Sequence, residues 1–236
     1  MKNIFKKTGR ILFRFVIAFF IISIATVVFF RWLPIPVTPF MLTQCVSQTF
    51  DSKRKVKLQK KWTSLEQISP YLQLAVICSE DQNFIDHFGF DFDAIEKAME
   101  HNKSHKQKRG ASTISQQTAK NVFLYDGRNW IRKGLEVYFT FLIEVCWSKQ
   151  RIMEVYLNVI EFGDGIYGAE AAAQQFFKIP SEKLSASQAA MLAAILPAPR
   201  RFSATNPSFY ILKRQQWILS QMKNNGDKLK FDNKGE

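Results

Sequence analysis

Two polar stretches carry most of the information in this chain: Ser79-Glu80-Asp81-Gln82-Asn83-Phe84 and Gly110-Ala111-Ser112-Thr113-Ile114-Ser115-Gln116-Gln117-Thr118-Ala119-Lys120-Asn121. The first places a carboxylate at the end of an apolar stretch with helical spacing. The second lines one face of a predicted helix with hydroxyls, amides and a cation. A carboxylate base beside a neutral hydrogen-bonding groove suits chemistry on sugars, and the added cation predicts a phosphate in the same substrate.

The rest of the chain also contains residues that typically begin and end helices, and no segment shows convincing strand alternation. We therefore expect a mainly α fold. Polar caps precede most of the apolar periodic segments. The predicted helices begin at Ser69-Pro70, at Asp91 (to about His101), at Ser112 (to Phe123), at Asn129 (to Trp147, with Trp130 inward), at Ser148 (to about Phe162), at Gly168 (to Lys178), at Ser185 (to Pro197) and at Asn206-Pro207 (to Gly226).

Composition indicates one main domain with an anionic partner. The 236 residues are 47% hydrophobic and 14% aromatic, which is enough for a core. The formal net charge is +13. So large an excess predicts a membrane surface, a phosphate or a nucleic acid as partner, although plain solubility is the simpler alternative.

The N-terminus resembles a membrane anchor. Residues 11–31 are almost entirely apolar, and about 20 such residues span a bilayer as a helix. Residues 1–10 are basic, so the positive-inside bias predicts a cytoplasmic N-terminus and an exported body. A cleaved signal peptide is the alternative, but its apolar region would be shorter and no small-x-small site precedes Arg31-Trp32.

The remaining segments divide by composition. Residues 32–61 contain Pro34, Pro36 and Pro39 and are expected to form a stiff, extended, membrane-proximal spacer. Residues 62–224 form the predicted catalytic domain, and residues 225–236 a flexible tail. The basic run from Ser52 to Trp62 fits either anionic lipid or a solvated loop.

Three patterns are given structural interpretations. Cys45, Cys78 and Cys146 have no metal-like spacing, so buried free thiols are expected for the last two. His101 and His105 lack a third ligand nearby, and no metal site is predicted. Residues 163–168 match the dinucleotide pattern GxGxxG, but the preceding segment is predicted to be a helix, so a tight loop between helices is expected.

Two carboxylates and a cation cluster are the candidate catalytic groups. Glu80 shares a face with apolar residues, which predicts a raised pKa suited to a base; a helix-end charge in water is the alternative. Glu136 is flanked by cations and would hold a cation or substrate, or else belong to a surface ion-pair ladder. The surrounding cations would stabilise a diphosphate leaving group: Lys120, Arg128, Arg132 and Lys133.

These segments resemble, in order, the motifs of the peptidoglycan glycosyltransferases (glycosyltransferase family 51). The match runs from about Trp62 to Met222. The first motif has Glu80, Asp81, Phe84, His87, Gly89 and Asp91 at its spacing. The others correspond to residues 110–121, 132–136, 151–173 and 189–199. The resemblance is closest to the monofunctional members, because too few residues follow for a transpeptidase domain.

The resemblance implies a lysozyme-like glycosyltransferase domain with a membrane-proximal lobe, preceded by one transmembrane helix. It implies polymerisation of lipid II into β-1,4 glycan strands with release of undecaprenyl diphosphate, by an inverting displacement at the bacterial inner membrane with the domain in the periplasm. Glu80 would be the general base and Glu136 would position the cations. The substrate contacts would be Lys120, Arg128, Lys133, Ser112, Thr113, Gln116, Gln117, Asn121, Asp81, Phe84 and His87.

The resemblance also bears on cofactors and partners. No cofactor is required, although Mg²⁺ or Mn²⁺ could bridge the substrate diphosphate without a protein cage. The partners would be lipid II, the growing glycan strand, the membrane and other cell-wall synthesis or division proteins, with no nucleic acid. Three alternatives stay open: a lytic transglycosylase, which binds no diphosphate; a membrane-anchored scaffold without catalysis; and a membrane-bound nucleic-acid binder.

Overall fold

The computed structural model describes residues 2–52, 54–105, 108–127 and 129–226. The chain divides into two compact units, one ending at Pro34 and the other beginning at Ile35.

The first unit is a single helix, α1 (Lys2–Phe29). Its segment Lys7–Phe29 is, among the described residues, the one stretch long and apolar enough to cross a membrane. Large apolar side chains along it are exposed, Phe15 by 70% and Leu12 by 64%. Exposed apolar side chains all along a helix of this length require an apolar surrounding, so α1 has the properties of a single-pass anchor.

The second unit is mainly α, as the caps predicted. Its described elements are α2 (Pro39–Thr49), β1 (Gln59–Lys60), α3 (Pro70–Glu80), α4 (Phe92–Ser104), α5 (Ile114–Phe123), α6 (Trp130–Cys146), α7 (Lys149–Val159), β2 (Glu161–Gly163), β3 (Ile166–Tyr167), α8 (Ala169–Phe177), α9 (Ala186–Ile195) and α10 (Phe209–Asn224), with short 3₁₀ turns at Leu65–Gln67 and Ser181–Lys183.

Capping side chains fix where the helices begin. Asp91 accepts a hydrogen bond of 2.8 Å from the amide of Ala94, which starts α4. Ser185 and Gln188 form the predicted capping box before α9. Asn129 starts α6 by accepting a bond of 2.7 Å from the amide of Arg132. Each cap satisfies amides that have no partner within the first helical turn.

Helix α3 lies at the centre of the unit, packed against α9 and α10. Its residues Leu72 to Cys78 are buried, as are Ala189 to Ile195 of α9. The small alanines of α9 allow the helices to approach closely. Helix α5 packs against α6 and α7, and α2 packs against α5. Since α3 ends at Glu80, the core itself carries this carboxylate into the interior.

Two expectations about local structure are wrong. The segment predicted as an extended spacer contains α2, because Pro39 occupies the first helical turn, where its missing N–H costs nothing, and Thr38 caps it. Trp130, expected inward, is 91% exposed. The residues from Ile35 to Lys61 thus belong to the same compact unit as the predicted domain.

The structure also contains a small sheet that the sequence did not predict. Helix α7 ends at Val159 rather than near Phe162, and β2 follows. Strand β3 pairs antiparallel with β2 and parallel with β1, in the order β1-β3-β2. The GxGxxG pattern therefore lies in a hairpin instead of a loop between helices. An antiparallel hairpin also lacks the strand-to-helix crossover of a dinucleotide site, which supports rejecting that interpretation.

Candidate active site

The carboxylate of Glu80 is nearly enclosed, although it stands at a helix end. Its side chain is 14% exposed. The amide nitrogen of Gln117 donates a hydrogen bond of 3.0 Å to its Oε2. A guanidinium nitrogen of Arg214, from α10, lies 3.6 Å from its Oε1. The alternative of a solvated helix-end charge does not describe this group.

Burial raises the pKa of Glu80 above its ordinary range, as its apolar helical face predicted. The hydrogen bond from Gln117 and the charges of Arg214 and Lys120 oppose this effect, while the charge of Asp81 adds to it. A carboxylate with a raised pKa is a better proton acceptor near neutral pH than a free glutamate.

Two clefts meet at Glu80. The lysine cleft, about 570 Å³, is lined by Lys120, Asn121, Asp126 and Phe40, and by the segment 196–201. The arginine cleft, about 1000 Å³, is lined by Arg214, Arg109, Tyr210, Trp217 and other residues of α4 and α10. Ser112, Gln117 and Glu80 line both clefts. A group bound in one cleft would therefore meet a group bound in the other at the carboxylate.

An ion cluster centred on a buried glutamate interacts electrostatically with Lys120, which lines the lysine cleft. Glu136 on α6 is 4% exposed, so it does not belong to a surface ladder. It accepts hydrogen bonds from Arg132, at 3.0 Å, and from Lys133. The side chain of Lys133 is 41% exposed, and that of Arg132 is 12% exposed. Glu136 thereby holds two cations in fixed positions, and Lys133 is the more accessible of the two.

Lys120 is coupled electrostatically to this cluster. Burial lowers the pKa of Lys120, and the charge of Glu136 partly restores it. Arg132 and Lys133 lower the pKa further, while Asp126 raises it. Lys120 and Arg132 are both poorly solvated, and together with the more exposed Lys133 they form a group of cations that favours binding of a multiply charged anion. Arg128, predicted to join this cluster, lies outside the described residues.

Some predicted substrate contacts line the clefts and others are engaged within the protein. Ser112, Gln117, Lys120 and Asn121 line one or both clefts. Ser112 precedes α5 instead of lying in its first turn, because Thr113 is the N-cap. Gln116, expected on the same face as Ser112 and Lys120, closes the capping box with Thr113 and is buried.

Asp81, Phe84 and His87 brace the turn after Glu80. Asp81 accepts a hydrogen bond of 2.9 Å from the amide of Ile114 and lies 2.9 Å from Nε2 of His87. Phe84 is fully buried against the His87 ring. Asp81 and Thr113 also line a smaller cavity, about 290 Å³, beside Glu80. Their contact with substrate stays a prediction, whereas their structural contacts fix the ends of α3 and α5.

Sequence reasoning missed four residues of the site. Arg214 was not singled out, although it comes from the last helix and lies against Glu80. Tyr156 is fully buried, and its hydroxyl lies 3.3 Å from Oε1 of Gln117. Arg200 binds Glu161 at 2.7 Å at the rim of the lysine cleft. Tyr156 and Glu161 lie within the motif-like segment 151–173, and Arg200 directly follows the segment 189–199, so these three carried a recognisable signal and Arg214 carried none.

The sequence analysis also considered two histidines and three cysteines as possible metal ligands. The rings of His101 and His105 stack at 3.9 Å on the wall of the arginine cleft. Within the described ranges, no three His, Cys, Asp or Glu side chains form a group that could hold a metal. Cys78 is a buried thiol as expected, whereas Cys146 is partly exposed.

Comparison with known proteins shows the family of the chain. The family model described as Transglycosylase matches residues 46–223. A "Biosynthetic peptidoglycan transglycosylase" of Bdellovibrio bacteriovorus is 54% identical over 207 residues, covering 88% of this chain and 82% of the relative. Proteins with the same name from Haemophilus influenzae (51% identity; 90% and 87% covered) and Bacteroides thetaiotaomicron (54%; 92% and 87%) are similarly related. The chain therefore belongs to the Transglycosylase family of peptidoglycan glycosyltransferases.

Proposed function

We propose that this peptidoglycan transglycosylase polymerises lipid II into β-1,4-linked glycan strands and releases undecaprenyl diphosphate, with Glu80 as general base. The observation that carries the proposal is the position of Glu80 at the junction of two clefts, one of them lined by Lys120, which interacts electrostatically with the Arg132–Glu136–Lys133 cluster. A glycosyl transfer needs two sugars that meet at a base, and a diphosphate leaving group needs positive charge on the donor side.

In the reaction, the 4-hydroxyl of an acceptor sugar in the arginine cleft attacks C1 of the donor sugar. Its proton passes to Glu80, whose raised pKa suits it to accept one near neutral pH. The new O–C1 bond forms as the bond from C1 to the diphosphate oxygen breaks, and the electron pair leaves with the diphosphate. One displacement of this kind inverts the anomeric centre.

The donor diphosphate would lie in the lysine cleft. Lys120, Lys133 and Arg128 would bind its oxygens, and Glu136 would keep Lys133 and Arg132 in place. Charge on the leaving diphosphate increases in the transition state, so cations already held in position stabilise it without reorganisation. Ser112, Gln117 and Asn121 would bind sugar hydroxyls or amides. A bridging Mg²⁺ or Mn²⁺ would be ligated mainly by phosphate and water oxygens.

Membrane attachment fits a lipid-linked substrate. We propose that α1 crosses the bacterial inner membrane once, with the basic N-terminus in the cytoplasm and the catalytic unit in the periplasm. On α2 and its C-cap, Leu42, Val46 and Phe50 are 56%, 57% and 86% exposed and are spaced four residues apart. Such a face suits contact with lipid and agrees with a membrane-proximal lobe. Other cell-wall synthesis proteins are proposed partners, and nucleic acid is not.

A lytic transglycosylase is the nearest alternative, and the two reactions have different substrates. Wild-type protein in detergent is given either labelled lipid II or preformed, lipid-free glycan strands. We expect polymer from lipid II, with β-linkages detected by NMR, and no cleavage of the strands. Cleavage of strands without any polymerisation would contradict the proposal. Lys120→Met, which removes a diphosphate contact, should abolish polymerisation while leaving the protein folded.

A further inference from the structure

The hydroxyl of Tyr156 is aimed at the active site from the protein interior. Tyr156 lies on α7, and its side chain is fully buried. A buried hydroxyl is costly unless it forms a hydrogen bond, and a phenylalanine would fill the same space without that cost. The hydroxyl lies 3.3 Å from Oε1 of Gln117, a long but admissible hydrogen bond. The hydroxyl therefore serves to bind Gln117, and packing of the ring alone does not account for it.

The two ends of the Gln117 amide have different partners. Oε1 faces Tyr156, and Nε2 donates to Glu80 at 3.0 Å. An amide has one accepting and one donating end, so a flipped amide would place its oxygen against the carboxylate oxygens of Glu80. Burial and the nearby charges of Glu80 and Asp81 raise the pKa of Tyr156 well above its ordinary value. The hydroxyl therefore stays protonated and donates a hydrogen bond to the amide oxygen.

We propose that Tyr156 is a positioning residue for the glycosyl transfer: its hydroxyl fixes the Gln117 amide so that an N–H always faces Glu80. This inference rests on the proposed role of Glu80 as the base. The amide in this orientation favours the ionised carboxylate and fixes its rotamer towards the junction of the clefts. The other groups that act on Glu80 are Asp81, Lys120 and Arg214, and none of them contacts Tyr156 through a described hydrogen bond.

The first test removes only the hydroxyl. Tyr156→Phe keeps the ring, so the protein should remain folded, with kcat for lipid II lowered about tenfold, the effect of losing roughly one hydrogen bond, and KM changed less than about twofold. Tyr167→Phe is the matched control. Tyr167 is also fully buried, and within the described part of the chain its hydroxyl has no hydrogen-bond partner. This variant should keep wild-type kcat.

A second readout does not depend on activity. Protein labelled with ¹³C at the glutamate carboxyl carbon is titrated by NMR, and the Glu80 signal is assigned as the one missing in Glu80→Gln. Tyr156→Phe should raise the pKa of Glu80, because the carboxylate loses a fixed donor, and the acid limb of the pH–rate profile should move to higher pH. Should wild type fail to polymerise lipid II, the proposed function fails, while this titration still decides the role of Tyr156.

A double-mutant cycle separates positioning from packing. In a Gln117→Ala background there is no amide to orient, so Tyr156→Phe should cause no further loss of kcat. A full additional tenfold loss in that background would overturn the proposal. An unchanged pKa of Glu80 in Tyr156→Phe would also overturn the proposal, because the hydroxyl would then have no effect on the carboxylate. A Tyr156→Phe variant that fails to fold, while Tyr167→Phe folds, would overturn it as well, because the hydroxyl would then act on general stability.

Discussion

Gln117 on α5 donates a hydrogen bond of 3.0 Å to Glu80 at the end of α3, although the two residues are 37 positions apart in the chain. The bond joins two helices that pack on different parts of the core, α3 on α9 and α10, and α5 on α6 and α7. The orientation of the carboxylate therefore depends on the packing of the whole unit.

Glu80→Gln should stabilise the folded protein near neutral pH. The folded-state pKa of Glu80 is raised above its ordinary value of 4.5, mainly by burial. Such a carboxyl group makes its full contribution to the free energy of unfolding at pH values below its pKa in the unfolded chain. The contribution is lost as pH rises through its pKa in the folded protein. At pH 7 the buried charge is a cost that glutamine removes, so Tm should rise by about 2–4 °C, as expected for ~1 kcal/mol.

The pH dependence is the control for that prediction. The difference in Tm between wild type and Glu80→Gln should shrink as pH falls towards 4, because both side chains are then neutral. Thermal unfolding followed by circular dichroism measures it. A lower Tm for the variant at pH 7, or a difference in Tm that does not change with pH, would contradict this prediction. Either result would show that the buried charge of Glu80 does not destabilise the wild type.

Lys120 should set an alkaline limit to activity. Burial lowers its pKa, so its charge is lost at a lower pH than that of a free lysine. Binding of a diphosphate needs the charged form, and kcat/KM should therefore fall as pH rises through this pKa. Lys120→Arg keeps the charge at all accessible pH values and should remove the limb while retaining some activity. An identical alkaline limb in both proteins would assign it to another group.

Glu136→Gln should destabilise the protein by about 3 kcal/mol, because it leaves Arg132 and Lys133 without their shared buried partner. The charge of Glu136 also raises the pKa of Lys120, so the alkaline limb should move to lower pH in this variant. Urea unfolding and the pH–rate profile measure the two effects. Glu182→Gln, on an exposed turn, is the control and should change neither quantity. An equally stable Glu136→Gln would argue that the cluster is solvated.

Two glycine substitutions should have opposite effects on stability. Gly165 has φ +67°, and a Cβ there would lie 2.1 Å from the carbonyl oxygen of Lys57, so Gly165→Ala should destabilise by about 3 kcal/mol or more. Gly134 lies within α6, and no described atom outside its own helix backbone lies within 4 Å of the position that a Cβ would take. Gly134→Ala should therefore stabilise by about 0.5–1 kcal/mol. Denaturant unfolding compares them, and equal effects would contradict the described hairpin contact.

The sequence predicted the features that local chemistry determines. Asp91, Asn129 and Ser185 mark true helix starts, because a polar cap beside an apolar run satisfies free amides whatever the tertiary context. The position of Glu80 at the end of a buried helix followed from the helical spacing of the apolar residues before it. These parts of the fold and of the site are determined by residues that are close together in the sequence.

Features that depend on distant partners could not be predicted in the same way. Strand β1 exists because Gln59 and Lys60 pair with Ile166 and Tyr167, and two-residue strands have no alternation to detect. Burial of Glu136 follows from the packing of α6 on α5, which its own flanking cations do not reveal. Arg214 reaches Glu80 only because α10 packs on α3, so no spacing in the sequence connects them.

The most direct test is polymerisation of labelled lipid II by the purified protein in detergent, with wild type beside Glu80→Gln. Circular dichroism first confirms that both proteins are folded. We predict glycan polymer from wild type and none from Glu80→Gln, since glutamine keeps the shape of the side chain but cannot accept the proton. Polymer from both proteins at similar rates would contradict the central claim and move the base to another residue.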